Sequence, residues 1–201
     1  MLSNKNIILI IPLILFIFSC STKNNPTICS DQNDSILPLG IGNKWEYLKI
    51  HYDGNNQPLD SSIVVREIIS KIEINKENWF RYENSILVTN RNDGIWSKET
   101  QPPFETEAKL VYKYPTYRGD SYSHFEVVST NKIIKIGNRY FRTIVYRRYF
   151  EIDGKIDKES IYDEDYLCCG IGLVKSIAVR KNKDGNFYVF RNMILLNYNL
   201  N

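Results

Sequence analysis

Turn dipeptides punctuate this chain at short intervals. Asp53-Gly54-Asn55-Asn56, Asn92-Asp93-Gly94, Gly137-Asn138, Asp153-Gly154 and Asp184-Gly185-Asn186 put residues that tolerate positive φ where tight hairpins need them. Runs suited to strands lie around them, at residues 44–52, 63–74, 109–114, 121–130, 140–150, 172–180 and 187–198. Alanine, the best helix former, occurs only at Ala108 and Ala178, and no convincing amphipathic helix of three turns can be drawn. An all-β fold is therefore expected. Leu110, Tyr112 and Tyr114 alternate cleanly against Lys109 and Lys113. Residues 187–196 are apolar on both faces and are expected to form a central strand covered on both sides. Pro102-Pro103 predicts a loop or crossover near the middle.

A weak internal repeat is present. Pro38-x-x-x-Gly42-Asn43-x-Trp45 aligns with Pro115-x-x-x-Gly119-Asp120-x-Tyr122, and Trp79-Phe80-Arg81 aligns with Tyr140-Phe141-Arg142. Each first unit reads as a turn feeding a strand, with the aromatic as the first side chain into the core. Chance produces such a pair about as readily as duplication does. A true repeat implies two similar antiparallel halves joined around Pro102.

The N-terminus carries a different signal. Lys5 precedes an apolar run from Ile7 to Phe18, shorter than the ~20 residues a membrane-spanning helix needs. Cys20 follows at once, in Ile17-Phe18-Ser19-Cys20, which resembles a bacterial lipobox. Phe18 departs from the strict form, which prefers a smaller residue; lipoproteins of Bacteroidetes-type bacteria are looser there. The resemblance implies a signal peptide over residues 1–19 and a lipidated Cys20 as the new N-terminus. The competing readings are a signal cut elsewhere and an uncleaved anchor. Residues 20–35 form the lipidated cysteine and a polar tether with a reach of roughly 20–25 Å, and residues 36–201 form the β domain. Ser21-Thr22 after the cysteine, with no Asp, leans toward the outer membrane, and the lack of an immediate acidic run leans toward its periplasmic side.

Cys29, Cys168 and Cys169 remain, an odd number for an exported chain. Cys29 can pair with Cys168 or Cys169 and staple the tether to the domain. The favoured alternative treats Cys168 and Cys169 as small buried apolar residues.

Leu37-Pro38-Leu39-Gly40-Ile41-Gly42-Asn43-Lys44-Trp45-Glu46-Tyr47 is similar to the "FPLxxGNxWxY" opening of uncharacterised exported β-rich proteins and lipoproteins. Their second stretch, "YxFPxxxGDxW", resembles Tyr112 through Tyr122, with Tyr122 in place of Trp. Their late "GVGLVK" resembles Gly170-Ile171-Gly172-Leu173-Val174-Lys175. The likeness spans residues 37–198. It implies a curved antiparallel sheet, or a half-barrel like that of the periplasmic lipoprotein carriers, and no known chemistry. Cys168-Cys169 stands where relatives carry other small residues or Pro.

Catalytic signals are weak. His51 and His124 are isolated, no H-E-x-x-H or G-x-S-x-G occurs, and the glycine pairs Gly40/Gly42 and Gly170/Gly172 lack a dinucleotide loop's third glycine. No catalytic residue, metal site or cofactor is assigned. Asp163-Glu164-Asp165 is the best acidic cluster and reads as a solvated turn or edge strand rather than a Ca²⁺ loop. Glu105 and Glu107 form a carboxylate pair without further support. Arg147-Arg148 lies between Tyr146 and Tyr149, a pattern that can bind single-stranded nucleic acid, but it reads better as a strand with one solvated face. The net charge of only +3, with both signs interspersed, also speaks against a nucleic-acid partner. Tyr, Phe and Trp at 14, 9 and 3 copies are enough to line a concave face that holds an apolar ligand, though most are expected in the core. The expectation is a non-catalytic, lipid-anchored envelope domain that binds a lipid or other apolar ligand. A structural subunit of an envelope complex, or a hydrolase with an unrecognised site, are the alternatives.

Overall fold

Twelve strands run in chain order through residues 35–100, 107–152 and 154–201, which the computed structural model describes. They are β1 (Lys44–Tyr52), β2 (Pro58–Ile74), β3 (Glu77–Tyr82), β4 (Ile86–Arg91), β5 (Gly94–Glu99), β6 (Lys109–Lys113), β7 (Ser121–Tyr122), β8 (Phe125–Ile136), β9 (Arg139–Ile152), β10 (Lys155–Cys168), β11 (Gly172–Lys181) and β12 (Phe187–Asn199). Among the described residues there is no helix. Sequence neighbours pair antiparallel, with β6 and β7 left as the two edges and the pairing of β1 with β12 joining the two ends of the chain. The fold is one curved, unclosed antiparallel sheet.

The two edges meet through side chains instead of a ladder. The backbone N–H of Lys113 donates to the Tyr122 hydroxyl (3.0 Å), which donates to the Val111 carbonyl (3.0 Å). The Tyr146 hydroxyl on β9 donates to the Lys113 carbonyl (2.8 Å). Two phenols thus occupy the free polar edge of β6, which would otherwise invite another strand.

The two repeat units have the same backbone. Gly42 N–H bonds the Ile68 carbonyl and Gly119 N–H the Val127 carbonyl, both at 2.8 Å. Asn43 N–H closes on Gly40, as Asp120 N–H closes on Tyr117. Ile68 N–H returns to Asn43, and Val127 N–H to Asp120. Both glycines have positive φ, 85° and 89°, and both Ile68 and Val127 are fully buried. The halves are β1–β6 and β7–β12. They join at the turn from Pro115 to Asp120, not around Pro102, because β6 still pairs with β5 and closes the first meander. Pro102-Pro103 lies outside the described residues.

The strands expected at 44–52, 109–114, 140–150, 172–180 and 187–198 are present with small changes of boundary. The run 63–74 begins earlier, at Pro58. The run 121–130 is two strands, split where Ser123 adopts φ 48°. β3, β4, β5 and β10 lie outside those runs, with β4 and β5 meeting at the expected Asn92-Asp93-Gly94 turn. β12 is central but is covered on one face only: Phe187, Phe190 and Leu196 are exposed.

The core lies on the concave side. Trp45 and Tyr47 are buried, and each donates across the sheet: Trp45 Nε1 to the Ile171 carbonyl (2.7 Å) in the turn after β10, and the Tyr47 hydroxyl to the Leu173 carbonyl (2.9 Å) at the start of β11. Gly172, at φ 91°, brings that turn against Leu37; a Cβ there would stand 2.7 Å from Leu37 Cδ1. At Gly119 a Cβ would meet nothing within 4 Å. Gly119→Ala should therefore cost only the left-handed backbone penalty, about 1–2 kcal/mol, and Gly172→Ala clearly more. Urea denaturation of both variants checks this, and equal losses would contradict the packing described.

Candidate ligand cavity on the concave face

Side chains alternate along each strand, so one half of every strand's residues faces inward. On β1, Trp45, Tyr47 and Lys49 point into a cavity of about 470 Å³. On β12, Leu195, Met193 and Arg191 pair with Tyr47, Lys49 and His51 in that order. On β10, Leu167, Asp165 and Asp163 face the same way, opposite Ile144, Tyr146 and Arg148 of β9. Along each of these strands the inward residues change from apolar to polar or charged in the same direction. The cavity thus has an apolar floor around Trp45, Leu167, Leu173 and Met193 and a charged wall around Lys49, Arg148, Asp163 and Arg191.

The charged wall corrects the reading of Asp163-Glu164-Asp165 as a solvated turn or edge strand. These residues sit inside β10, between β9 and β11, with Asp163 and Glu164 buried. Asp163 accepts from Arg148 Nη2 (2.7 Å) and Arg180 Nη1 (3.0 Å), and Arg191 Nη2 lies 3.8 Å away. A carboxylate survives burial only with such partners. Asp165 accepts from the Tyr112 hydroxyl (2.8 Å). Glu164 faces the convex side, held by Arg147 and by the Tyr166 hydroxyl. Arg147 and Arg148 therefore serve two different faces, each as part of an ion pair.

Three phenols line the cavity, and burial raises all of them: Tyr47 and Tyr112 far above the usual range and Tyr82 up to about 12. Asp165 raises Tyr112 further, while Arg66 pulls against burial at all three. They are neutral hydroxyls at any physiological pH, and those of Tyr47 and Tyr112 already donate to the Leu173 carbonyl and to Asp165.

The remaining sequence-singled residues are structural neighbours of this cavity. Trp45 lines it. Pro38 accepts from Asn43 Nδ2 (3.1 Å), and Asn43 Oδ1 accepts from the Asn201 backbone (2.8 Å), tying the C-terminus to the first repeat turn. Gly170 N–H bonds the Ser35 carbonyl (3.1 Å), so the turn containing Gly170 and Gly172 docks on the segment leading into the domain. The second repeat turn, Pro115 to Tyr122, lies at the β6–β7 seam, where the Tyr122 hydroxyl bridges Val111 and Lys113 on either side of the cavity residue Tyr112. There Asp120 accepts from Lys113 Nζ (2.9 Å), Thr116 Oγ1 (3.0 Å) and the Tyr117 N–H (3.2 Å). Burial opposes its ionisation, but these bonds outweigh it and hold its carboxyl below the ordinary value.

Asn43 is the counterpart of Asp120, so Asp120→Asn keeps the shape and removes the charge. A carboxyl depressed on folding stabilises above its unfolded pKa, near 3.9, and that contribution fades as pH falls through the folded value. Asp120→Asn is expected to lower stability by about 1 kcal/mol at pH 7, and its difference from the wild type should close as pH falls through the folded value. A loss that stays constant as the pH is lowered would show that the charge is not responsible.

Cys168 is a half-buried free thiol, raised by burial. Cys169 is disulfide-bonded. This corrects the treatment of both as small apolar residues, since oxidation fixes only one of them. Cys20, Cys29 and Glu105 lie outside the described residues. Glu107 is exposed, and His51 bonds Asp60 at the surface. Among the described residues no group of three or more His, Cys, Asp or Glu is placed to hold a metal, and no helix is long and apolar enough to cross a membrane.

Fold and cavity together define an open, curved antiparallel sheet with an amphipathic pocket on its concave side. No protein-family model and no curated protein matches the sequence. Two solved structures resemble the fold. One is a candidate lipoprotein of Parabacteroides distasonis, at TM-score 0.46 and 11% identity over 82% of this chain and 98% of that one. The other is a candidate exported protein with a YmcC-like fold from Bacteroides fragilis, at TM-score 0.48 and 10% identity over 82% and 98%.

Proposed function

We propose that this chain is a lipid-anchored cell-envelope domain that binds an apolar or amphiphilic small molecule on its concave face. The cavity of about 470 Å³ carries the reading: it falls within the ~300–1,000 Å³ of ordinary small-molecule sites and combines an aromatic floor with a few convergent polar groups. The anchor rests on the sequence of residues 1–20, in which Cys20 receives the lipid and residues 20–35 hold the domain off the membrane. The same segment supports an outer-membrane position facing the periplasm.

The test is native mass spectrometry of the mature chain carrying Cys20→Ser, exported to the periplasm so that oxidation proceeds. A reproducible added mass that extracts into organic solvent is the expected result. A folded protein with a clean apo mass would overturn it. Attention would then move to the convex face, where Ile63, Leu48 and Ile194 form one row across β2, β1 and β12 and Val65 and Leu196 are exposed beside it, as an interaction subunit would require.

A further inference from the structure

We infer that the ligand of this cavity is an anionic amphiphile, with a carboxylate or phosphate head held by Arg191 and Lys49 and an apolar body lying on the floor around Trp45 and Met193. The inference rests on the concave-face binding reading and specifies its chemistry.

The charges that line the cavity do not balance. Lys49, Arg66, Arg148 and Arg191 face three carboxylates, Glu83, Asp163 and Asp165. Asp163 is already shared among Arg148, Arg180 and Arg191, so a fifth cation leans on the same wall. Asp165 is occupied by the Tyr112 hydroxyl, and Glu83 accepts from the Glu67 backbone. Among the described residues neither Lys49 nor Arg66 has a carboxylate within ion-pair distance. Arg66 lies instead over the Tyr47 ring, 5.8 Å from its centre.

Arg191 is the clearest case. Among the described residues its only ion pair is the long 3.8 Å approach to Asp163. Its Nε is buried and has no hydrogen-bond partner among them. A buried donor without an acceptor is costly, and a guanidinium fork matches the two oxygens of a carboxylate or phosphate. Lys49 is one register step away, across from Met193, where the wall changes from charged to apolar. A head at Arg191 and Lys49 therefore places its attached chain over Met193 and Trp45. Excess positive charge lining a concavity also attracts anions from a distance.

The probes are octyl phosphate, octanol, octyltrimethylammonium and inorganic phosphate, each titrated by calorimetry into the mature chain carrying Cys20→Ser, with amphiphiles below their micelle concentrations. Octyl phosphate is expected to bind at least tenfold more tightly than the other three, and less tightly as salt is raised. Arg191→Met and Lys49→Met should each weaken octyl phosphate fivefold or more and leave octanol within twofold. Lys49 has no ion pair to lose, so its variant keeps the test valid if Arg191→Met misfolds.

Octanol binding as tightly as octyl phosphate, unaffected by either substitution, would overturn the anionic head while leaving the cavity reading in place. Inorganic phosphate binding as tightly as octyl phosphate would overturn the apolar body and point to a free anion. Binding of none of the probes would overturn the proposal, and the native mass spectrum separately decides whether the cavity reading falls with it.

Discussion

Trp45→Ala is expected to lower the unfolding free energy by about 3–5 kcal/mol, within the range for emptying a buried aromatic site, and to lower Tm by on the order of 10 °C. Trp45 is 1% exposed and sits at the base of the cavity, so the vacated volume cannot be filled by a surface side chain. Its indole N–H is also the donor that holds the Ile171 carbonyl in the turn after β10. Trp45→Phe separates the two contributions. It restores much of the ring but leaves that carbonyl unpartnered, a loss of about 1–3 kcal/mol. Thermal and urea denaturation of both variants provide the measurement. A loss below about 1 kcal/mol for Trp45→Ala would mean that the two motifs it links, residues 37–47 and 170–175, are held together by something else.

Asp163→Ala should be of similar size, about 3–5 kcal/mol, for the opposite reason. Trp45 stabilises by filling space, whereas Asp163 stabilises by neutralising three guanidinium groups that the fold gathers around it. Its removal leaves Arg148, Arg180 and Arg191 facing one another from β9, β11 and β12 with no shared anion. Asp163→Asn keeps the volume and an acceptor oxygen, so the part of the loss that persists in it reports on charge alone. Added salt should recover part of the stability of both variants, because anions from solution can then screen the guanidinium groups. If Asp163→Ala unfolds at the same urea concentration as the wild type, the cluster contributes nothing to stability and its arrangement requires a different cause.

The two variants also bear on the proposed ligand. An anionic amphiphile touching Arg191 should raise the stability of the wild type in proportion to its occupancy. That same ligand should stabilise Asp163→Asn at least as much, since it then supplies the only anion on the wall. A ligand that recognised the floor alone would show no such preference.

Much of this architecture was legible in the sequence because it depends on local chemistry. Asp53-Gly54, Asn92-Asp93-Gly94 and Asp184-Gly185-Asn186 marked hairpins because their side chains and φ values close a turn locally. In the structure Asp53 Oδ1 accepts from Asn55 and Gln57, and Asn182 Oδ1 accepts from Asp184 and Asn186 in the same pattern. The alternation of Leu110, Tyr112 and Tyr114 and the scarcity of Ala are equally local. The repeat turns were visible as well, although only their matched backbone bonds distinguish a shared structure from a coincidence of residues.

The cavity was not legible, although both of its charged segments were in view. Arg147-Arg148 and Asp163-Glu164-Asp165 lie on adjacent strands of one hairpin, where Arg147 faces Glu164 and Arg148 faces Asp163. A hairpin drawn inward from the pairing of Lys155 with Ile152 would not make those pairs. The register shifts between Asp157 and Tyr162, and only that irregularity brings the opposite charges together. Arg180 and Arg191 arrive from β11 and β12 through two further registers, each with its own bulge. The sequence by itself determined the strand character and the hairpin turns, because propensity and turn geometry act over a few residues. The tertiary structure alone decided which face of β10 is buried, how the β1–β12 pairing joins the two halves and where the unbalanced positive charge collects, because register across several strands sums small local shifts that no short stretch of chain encodes.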